Sequence, residues 1–130
     1  MIFGIGTDIV SVGRIAEGLE RHGERYAQRI LGDQELAEFQ SSQQQAHFLA
    51  KRFAAKEAFV KALGTGFRDG ISLREIQVTH TPHGRPGLLC SGEAQRKLLE
   101  FGVGESHLSL ADEKEFAIAF VTLLKRQNGL

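Results

Sequence analysis

The feature that most constrains the fold is a helical pattern over residues 47–63 that carries apolar side chains on two sides. Its main stripe recurs at helical intervals and comprises Leu49, Phe53, Val60 and Leu63. Its second apolar side comprises Phe48, Ala55 and Phe59. A helix that is apolar on two sides has to be buried between other elements. The pattern therefore predicts a long central helix that ends before Gly64, a residue type common just after a last helical turn.

The segments before this helix predict short elements. Residues 2–6 predict a short strand that reaches a turn at Thr7-Asp8. Helical spacing begins after that turn, and Gly23 weakens or ends the helix. Asp33 is the expected N-cap of a further short helix.

The second half of the chain is more strand-like. Alternation over residues 76–79 and an apolar run at 88–90 predict two strands, and residues 93–101 predict a helix. Segments 107–110 and 116–124 predict two more strands joined as a hairpin. The order of elements predicts an α+β fold, with a small antiparallel sheet packed around one long central helix. Because the strands are few and short, we expect one face of the sheet to need a partner subunit.

Composition argues against several classes of function. The 130 residues predict a single domain over 1–130. The 16 acidic and 16 basic residues balance, so no overall field attracts nucleic acid or a membrane surface. No run approaches the roughly 18 apolar residues of a membrane span, and the start lacks the features of a secretion signal. Cys90 is the only cysteine, which permits no internal disulfide and is compatible with the expected cytoplasmic location.

Glu57 and Lys61 are the first candidates for chemistry. They are four residues apart on one helix face, a spacing that by itself most often means a solvated ion pair. Their position favours a functional interpretation, because both lie beside the Phe53 and Val60 stripe rather than opposite it. Alanines on the same side would let another backbone or a ligand come close.

Asp8 is the second candidate carboxylate. It follows a Gly-x-Gly strand, where an aspartate is most often a turn or N-cap residue. The glycines allow this strand end to pack tightly against another element. If that element is the long helix, Asp8 and Glu57 face one cation. Mg²⁺ suits such a pair, because it binds one or two carboxylates, keeps waters and binds substrate phosphates.

Several groups are candidates for holding phosphate. Gly64-Thr65-Gly66 is most simply a helix C-cap, but its glycines also permit backbone amides to approach a phosphate. Arg52, Lys51 and Lys56 are further candidates, with an exposed helix face as the alternative. His107 begins a strand and either faces a cleft or is structural, and the histidines form no zinc-binding pattern.

Basic residues also align on the first helix. Arg14, Arg21 and Arg25 share one face at helical spacing, while glutamates occupy another. A solvated mixed-charge helix is the ordinary explanation. The functional alternative is a basic stripe that binds an acidic partner helix. Gly23 separates Arg25 from the other two arginines.

Together these blocks resemble the holo-acyl-carrier-protein synthases, the small phosphopantetheinyl transferases of bacterial fatty acid synthesis. The resemblance covers nearly the whole chain, and its long middle block is very specific. The matching blocks are Gly4-Ile5-Gly6-Thr7-Asp8-Ile9, Arg14-Ile15, Arg29-Ile30-Leu31 with Glu35-Leu36, residues 48–58, Lys61-Ala62, Gly64-Thr65-Gly66 and His107-Leu108-Ser109-Leu110. One departure is Asp112, where some members carry a second histidine, so no role of that histidine transfers to this chain.

The resemblance implies a phosphopantetheinyl transferase fold and a homotrimer with active sites at subunit interfaces. It implies Mg²⁺ as cofactor, with Asp8 and Glu57 as its carboxylate ligands, and coenzyme A as co-substrate. The enzyme would transfer 4′-phosphopantetheine to a serine of apo-acyl carrier protein and release adenosine 3′,5′-bisphosphate. Either Glu57 or a metal-bound water would remove the serine proton, and Lys61 would stabilise or protonate the leaving oxygen. The acidic helix of the carrier would dock on the stripe that contains Arg14.

Two other interpretations stay open from the residues alone. A different Mg²⁺-dependent enzyme on phosphoesters, such as a nucleotide hydrolase, would use the same carboxylates without a protein substrate. A non-enzymatic interaction domain would use Asp8 and Glu57 structurally, bind no coenzyme A and need no metal. The carboxylate pair also leaves both Mg²⁺ and Mn²⁺ open as the cation.

Overall fold

The structure is a computed structural model that describes residues 1–127. Its helices are α1 (Val12–His22), α2 (Glu24–Ile30), α3 (Asp33–Gln40), α4 (Gln45–Leu63) and α5 (Gly92–Glu100). Its strands are β1 (Ile2–Ser11), β2 (Ile76–His80), β3 (Pro86–Cys90), β4 (Val103–Asp112) and β5 (Phe116–Lys125), with a 3₁₀ turn at Leu73–Glu75. The mixture of helices with antiparallel strand pairs confirms the predicted α+β class.

The long helix α4 is central, as its two apolar sides predict. It begins at Gln45, slightly before the expected start, and ends at Leu63. Gly64 then takes the left-handed conformation with φ 88°, which is favourable for glycine. Leu49 and Phe59, from the two apolar sides, are both fully buried. β1 and β5 pack on one side of α4, and α1, α2 and α3 pack around the rest of it.

Two glycines let β1 lie directly on the α4 backbone. A Cβ atom at Gly4 would collide with the carbonyl oxygen of Ala62, and one at Gly6 would collide with that of Ala58. Alternate residues of a strand share one face, so Asp8 points toward the same helix as these glycines. The Gly-x-Gly-x-Asp pattern thus sets a carboxylate beside α4.

The first strand is longer than the sequence predicts. β1 continues through Thr7 and Asp8 to Ser11 and pairs antiparallel with β5, with Asp8 opposite Ala119. The predicted turn at Thr7-Asp8 is wrong, because ladder pairing with a strand over a hundred residues away overrides the local signal. Ser11, at the end of this strand, caps α1 by accepting a hydrogen bond from the backbone of Arg14.

The cap of α3 also differs from the prediction. Its N-cap is Gly32, and Asp33 is the first helical residue, paired with Arg74 at 2.7 Å. The Gly32 N–H donates to Glu35 Oε1 at 2.9 Å. The carboxylate that accepts the hydrogen bond at the start of α3 therefore belongs to Glu35, inside the helix, rather than to an N-cap residue.

Two sheets complete the fold. β1, β5 and β4 form a three-stranded antiparallel sheet in that order, and β2 pairs with β3 as a separate hairpin. The predicted hairpin between β4 and β5 is confirmed. Along β5 one face is buried against α4, and its residues are Ala117, Ala119, Val121 and Leu123. The opposite face of the sheet is exposed and apolar, with Ile5, Ile9, Ile118 and Phe120 each more than two-fifths exposed. Within residues 1–127, no helix is both long enough and apolar enough to cross a bilayer.

Candidate active site

The two candidate metal carboxylates line a single cavity. Asp8 comes from β1 and Glu57 from α4, and the cavity has a volume of about 610 Å³. α1 and α2 complete its wall, contributing Arg14 and Tyr26 among others. The packing of β1 on α4 therefore brings together two acidic side chains that are far apart in the sequence.

The environment of Glu57 disfavours its charge. Partial burial raises the pKa of the Glu57 carboxyl, the nearby Asp8 carboxylate raises it further, and Lys61 opposes both. A cation that neutralises the two carboxylates would relieve this repulsion. Glu57 is thus a suitable ligand for a cation, and in the absence of a cation it is a better proton acceptor than an ordinary glutamate.

Lys61 contacts Asp8 rather than Glu57. Its Nζ donates to Asp8 Oδ1 at 3.0 Å and to the Thr7 carbonyl oxygen at 3.1 Å. The Lys61 side chain is about half exposed, whereas Asp8 is mostly covered. We call Asp8, Glu57 and Lys61 the Asp8 cluster. The simple i,i+4 ion pair on α4, the ordinary explanation of Glu57 and Lys61, is not the arrangement found.

The Asp8 cluster fits a small, hard cation. Asp8 and Glu57 offer two carboxylates to one cavity, and an ammonium group already lies against Asp8. In the described part of the chain, no group of three or more ligating side chains occurs. Protein would therefore supply two ligands, leaving the other positions to water and phosphate, which is the usual coordination of Mg²⁺ in proteins.

The basic stripe reaches the same cavity. Arg14 and Arg21 of α1 line it together with the two carboxylates. Arg25 lies on α2, after a break at Gly23 where φ is 63°. It is exposed but is not among the cavity residues, so the predicted three-arginine stripe is interrupted after Arg21.

Arg52 and Lys56 are buried rather than presented to a phosphate. Arg52 is 4% exposed and Lys56 is fully buried. Lys56 Nζ lies 2.6 Å from Glu35 Oε1, and Arg52 Nη1 lies 3.4 Å from Glu35 Oε2. We call these three residues the Glu35 cluster. Neither the predicted contact with phosphate nor its alternative, an exposed helix face, is the arrangement found, since a buried charge requires a partner and Glu35 supplies one.

Burial also changes the acidity of Lys56. Desolvation lowers the pKa of its ammonium to about 8, against the opposing effect of Glu35. Two backbone carbonyl oxygens, of Ile30 at 2.6 Å and Leu73 at 3.0 Å, accept its other hydrogen bonds. All three donors of the Lys56 ammonium are thereby used inside the protein, and we withdraw Lys56 and Arg52 from the phosphate-binding set.

The Gly64-Thr65-Gly66 segment acts as the helix C-cap. The N–H groups of Gly64 and Gly66 both donate to the Val60 carbonyl oxygen, at 3.0 and 3.3 Å. The Thr65 hydroxyl donates to the carbonyl oxygen of Gly66 at 2.7 Å. The C-cap interpretation is confirmed, and the two glycine amides that the sequence left open to a phosphate close the end of α4 instead.

His107 faces a second cavity of about 310 Å³. Its neighbours there include Thr79 and Arg85 of the β2–β3 hairpin and Ser106 of β4. His107 Nε2 lies 3.1 Å from Glu105 Oε2, and the side chain is about half exposed. Within this chain the second cavity shares no lining residue with the Asp8 and Glu57 cavity.

Sequence reasoning missed two groups of residues. Tyr26 lies over Gly18, where a Cβ atom would collide with the ring, and both line the Asp8 cavity. An aromatic residue three positions after the predicted helix break at Gly23 carries no local signal for that role. The sequence held one indirect signal for Glu35, the centre of the buried cluster. Arg52 and Lys56 lie at helical spacing on the Phe48 side of α4, which predicts burial and hence an acidic partner.

Known proteins resemble this chain in both sequence and structure. A model of the 4′-phosphopantetheinyl transferase superfamily matches residues 4–121. The chain belongs to the 4′-phosphopantetheinyl transferase superfamily. The family resemblance seen in the sequence is thereby confirmed.

Relatives of this superfamily are similar over nearly their whole length. The holo-(acyl-carrier-protein) synthase of Halorhodospira halophila is 56% identical over 124 residues, covering 95% of this chain and 98% of the relative. The crystal structure of the holo-(acyl-carrier-protein) synthase from Neisseria meningitidis matches with a TM-score of 0.91 at 44% identity, covering 96% and 100% of the two chains. A synthase from Bacillus anthracis in complex with CoA (3′,5′-ADP) matches with a TM-score of 0.80 at 35% identity, covering 98% and 99%.

Proposed function

We propose that this protein is a holo-acyl-carrier-protein synthase. It transfers 4′-phosphopantetheine from coenzyme A to a serine hydroxyl of apo-acyl carrier protein, giving holo-carrier and adenosine 3′,5′-bisphosphate. Its family membership and the coenzyme A complex of a similar synthase support this activity. The observation that carries the proposal is the single cavity that joins Asp8 and Glu57 to Arg14 and Arg21.

The metal part of the proposal assigns Asp8 and Glu57 to a divalent cation, Mg²⁺ or Mn²⁺. When bound, the cation would offset negative charge on the pyrophosphate as the bond to the leaving phosphate breaks. The raised pKa of Glu57 and the Asp8 carboxylate beside it support a cation at this place. Lys61 Nζ contacts one of the two Asp8 oxygens, so the ammonium and the cation would share this carboxylate.

The chain's own residues carry the proton and charge steps. The serine oxygen attacks the pantetheine-bearing phosphorus, and the bond from that phosphorus to the bridging oxygen breaks. Glu57, which lines the cavity beside Asp8, is the proposed acceptor of the serine proton. The Lys61 ammonium stabilises the negative charge that appears on the leaving phosphate.

The second cavity is the proposed site for another part of coenzyme A. His107, Arg85 and Thr79 offer one or two cationic groups and a hydroxyl on its wall. Such a set suits a phosphate of the nucleotide portion. Thr65 and its neighbouring glycines remain candidates for contacting coenzyme A through side-chain or van der Waals contacts. The amides of the two glycines are already hydrogen-bonded to Val60.

Carrier recognition is assigned to the stripe on α1. Arg14 and Arg21 lie at the rim of the cavity that holds the proposed metal ligands. An acidic helix that pairs with them would bring its adjacent serine to Glu57. Arg25, beyond the break at Gly23, would lie at the edge of this contact.

A homotrimer would cover the exposed apolar sheet face. Ile5, Ile9, Ile118 and Phe120 form a contiguous patch across β1 and β5, where Ile9 lies opposite Ile118. Contiguous apolar patches of this kind mark interfaces. His107 lies opposite Thr122 on the same sheet, so its cavity borders this face and would meet a neighbouring subunit. We further propose a single domain over residues 1–130 and a cytoplasmic role in fatty acid biosynthesis.

One experiment tests the activity directly. The protein is incubated with coenzyme A, Mg²⁺ and apo-acyl carrier protein, and the intact carrier is weighed by mass spectrometry. The expected result is addition of one phosphopantetheine group to the carrier, dependent on Mg²⁺ and lost in Glu57→Gln. An unmodified carrier in the presence of active, correctly folded protein would contradict the proposal.

A further inference from the structure

The Glu35 cluster joins two parts of the molecule that the proposed function uses separately. Glu35 is fully buried and accepts hydrogen bonds on both carboxylate oxygens. Its Oε1 binds Gly32 N and Lys56 Nζ, at 2.9 and 2.6 Å. Its Oε2 binds Val78 N at 3.0 Å, besides the longer contact with Arg52. One carboxylate therefore holds α3, α4 and β2 together.

The contact with β2 replaces a neighbouring strand. Val78 lies opposite Leu88 in the β2–β3 ladder, and its N–H and C=O groups both point away from β3. Glu35 accepts from the Val78 N–H, and Arg52 Nη1 donates to the Val78 carbonyl oxygen at 3.2 Å. The carboxylate and the guanidinium thus satisfy both polar groups of an otherwise unpaired strand edge.

This edge is next to the second cavity. Thr79 follows Val78 and lines that cavity together with Arg85, across from His107. The Asp8 and Glu57 pair depends on a different contact, the packing of Gly4 and Gly6 on the α4 backbone. Loss of the Glu35 anchor would shift the hairpin wall of the second cavity while leaving the β1–α4 contact in place.

We propose that Glu35 is a positioning residue, which seats the β2–β3 hairpin against α4 and so sets the site for the nucleotide portion of coenzyme A. Glu35 itself, having no exposed surface, touches no substrate. The inference rests on the proposed function. A positioning role differs from a purely structural one because it predicts that folded variants lose coenzyme A binding selectively.

The test compares two affinities in Glu35→Gln. The KM for coenzyme A is measured by carrier modification, and the affinity for Mn²⁺ without coenzyme A is measured by electron paramagnetic resonance. We expect the KM for coenzyme A to rise about tenfold or more, the size of effect that loss of a supporting contact behind a site commonly produces. The Mn²⁺ affinity should stay within about twofold of wild type, because Asp8 and Glu57 keep their packing.

Two further variants keep the test decisive. Glu35→Gln leaves the buried Lys56 amine without its carboxylate partner, so Glu35→Gln/Lys56→Met removes both members of the pair and serves if the single variant fails to fold. Asp33→Asn is the matched control, because this carboxylate lies on the same helix but pairs with Arg74 at the surface. It should leave both affinities unchanged.

The outcomes separate the inference from the function on which it rests. An unchanged KM for coenzyme A in folded Glu35 variants, or an equal loss of Mn²⁺ affinity, overturns the positioning role. Failure of the wild-type protein to bind coenzyme A or modify the carrier overturns the proposed function itself. A raised KM with normal Mn²⁺ binding, absent in Asp33→Asn, supports the inference.

Discussion

α4 carries two ionic clusters that differ in how their charges are satisfied. In the Glu35 cluster, both the carboxylate and the Lys56 ammonium are fully buried and bound to protein groups at close range. In the Asp8 cluster, Lys61 is half exposed and pairs with Asp8, and among the described residues Glu57 has no ion-pair partner. The first cluster is complete without a ligand, whereas the second presents an uncompensated carboxylate to a cavity. Satisfied charges thus mark the framework and the unsatisfied one marks the site.

The largest expected effect on stability comes from breaking the buried cluster. Lys56→Met leaves Glu35 charged without its shortest partner, and we expect the free energy of unfolding to fall by about 3–5 kcal/mol. Urea unfolding followed by circular dichroism measures this change. The double variant Glu35→Gln/Lys56→Met should recover part of the loss, since it removes the buried pair and leaves Arg52 with Glu38, at 3.5 Å, as its acidic partner. Wild-type stability in the single variant would show that the buried pair is unimportant.

The open cluster should show the reverse behaviour. We expect Glu57→Gln to lower turnover by about 10²–10³-fold, because it removes a metal ligand and a proton acceptor, while the free energy of unfolding changes by less than about 1 kcal/mol. Carrier modification under saturating substrates and urea unfolding measure the two quantities. Glu17→Gln is a matched control, since Glu17 lines the same cavity but belongs to α1. Normal turnover by Glu57→Gln would remove Glu57 from the site.

We expect a smaller effect from a substitution that weakens docking of the carrier protein. Arg14→Glu places a negative charge at the rim of the cavity, and we expect the KM for apo-acyl carrier protein to rise about tenfold, with the KM for coenzyme A unchanged. Arg25→Glu introduces the same charge change beyond the helix break and should have a weaker effect. Equal effects of the two substitutions would mean that overall charge, rather than the stripe at the cavity, governs docking.

The smallest expected change is in the acidity of Glu57. In metal-free protein its pKa is raised first by burial and then by Asp8. Asp8→Asn removes the neighbouring negative charge and should lower the pKa of Glu57, although burial keeps it above the ordinary value. At a given mildly acidic pH, a smaller fraction of Glu57 is then protonated. Carbon-13 NMR of the glutamate carboxyl groups measures this, and an unchanged pKa in Asp8→Asn would show that the two carboxylates do not interact.

The sequence predicted the framework of the site well, for physical reasons that are local. The two apolar sides of α4 fixed its central place and its end at Gly64. The glycines before Asp8 predicted a close approach, and the structure shows that approach at Gly4 and Gly6. Helical spacing also placed Glu57 beside the core, where the structure finds it half-buried and lining the cavity.

The parts that failed depend on contacts across the chain. No local pattern reveals that β1 continues through Asp8 by pairing with β5, because strand pairing is set by distant residues. Arg52 and Lys56 can be taken for phosphate ligands until Glu35, on another helix, is placed between them. The amides of the Gly64–Gly66 segment look free until their hydrogen bonds to Val60 are known.

The central claim is that Asp8 and Glu57 hold a divalent cation that the buried cluster does not. Isothermal titration calorimetry with Mn²⁺ tests it most directly, on wild-type protein and on the variants Asp8→Asn, Glu57→Gln and Lys61→Gln. We expect one site per chain in the wild type, at least a tenfold weaker affinity in the two carboxylate variants, and tighter binding in Lys61→Gln, which removes a competing cation from Asp8. Mn²⁺ binding that survives unchanged in both Asp8→Asn and Glu57→Gln would contradict the account.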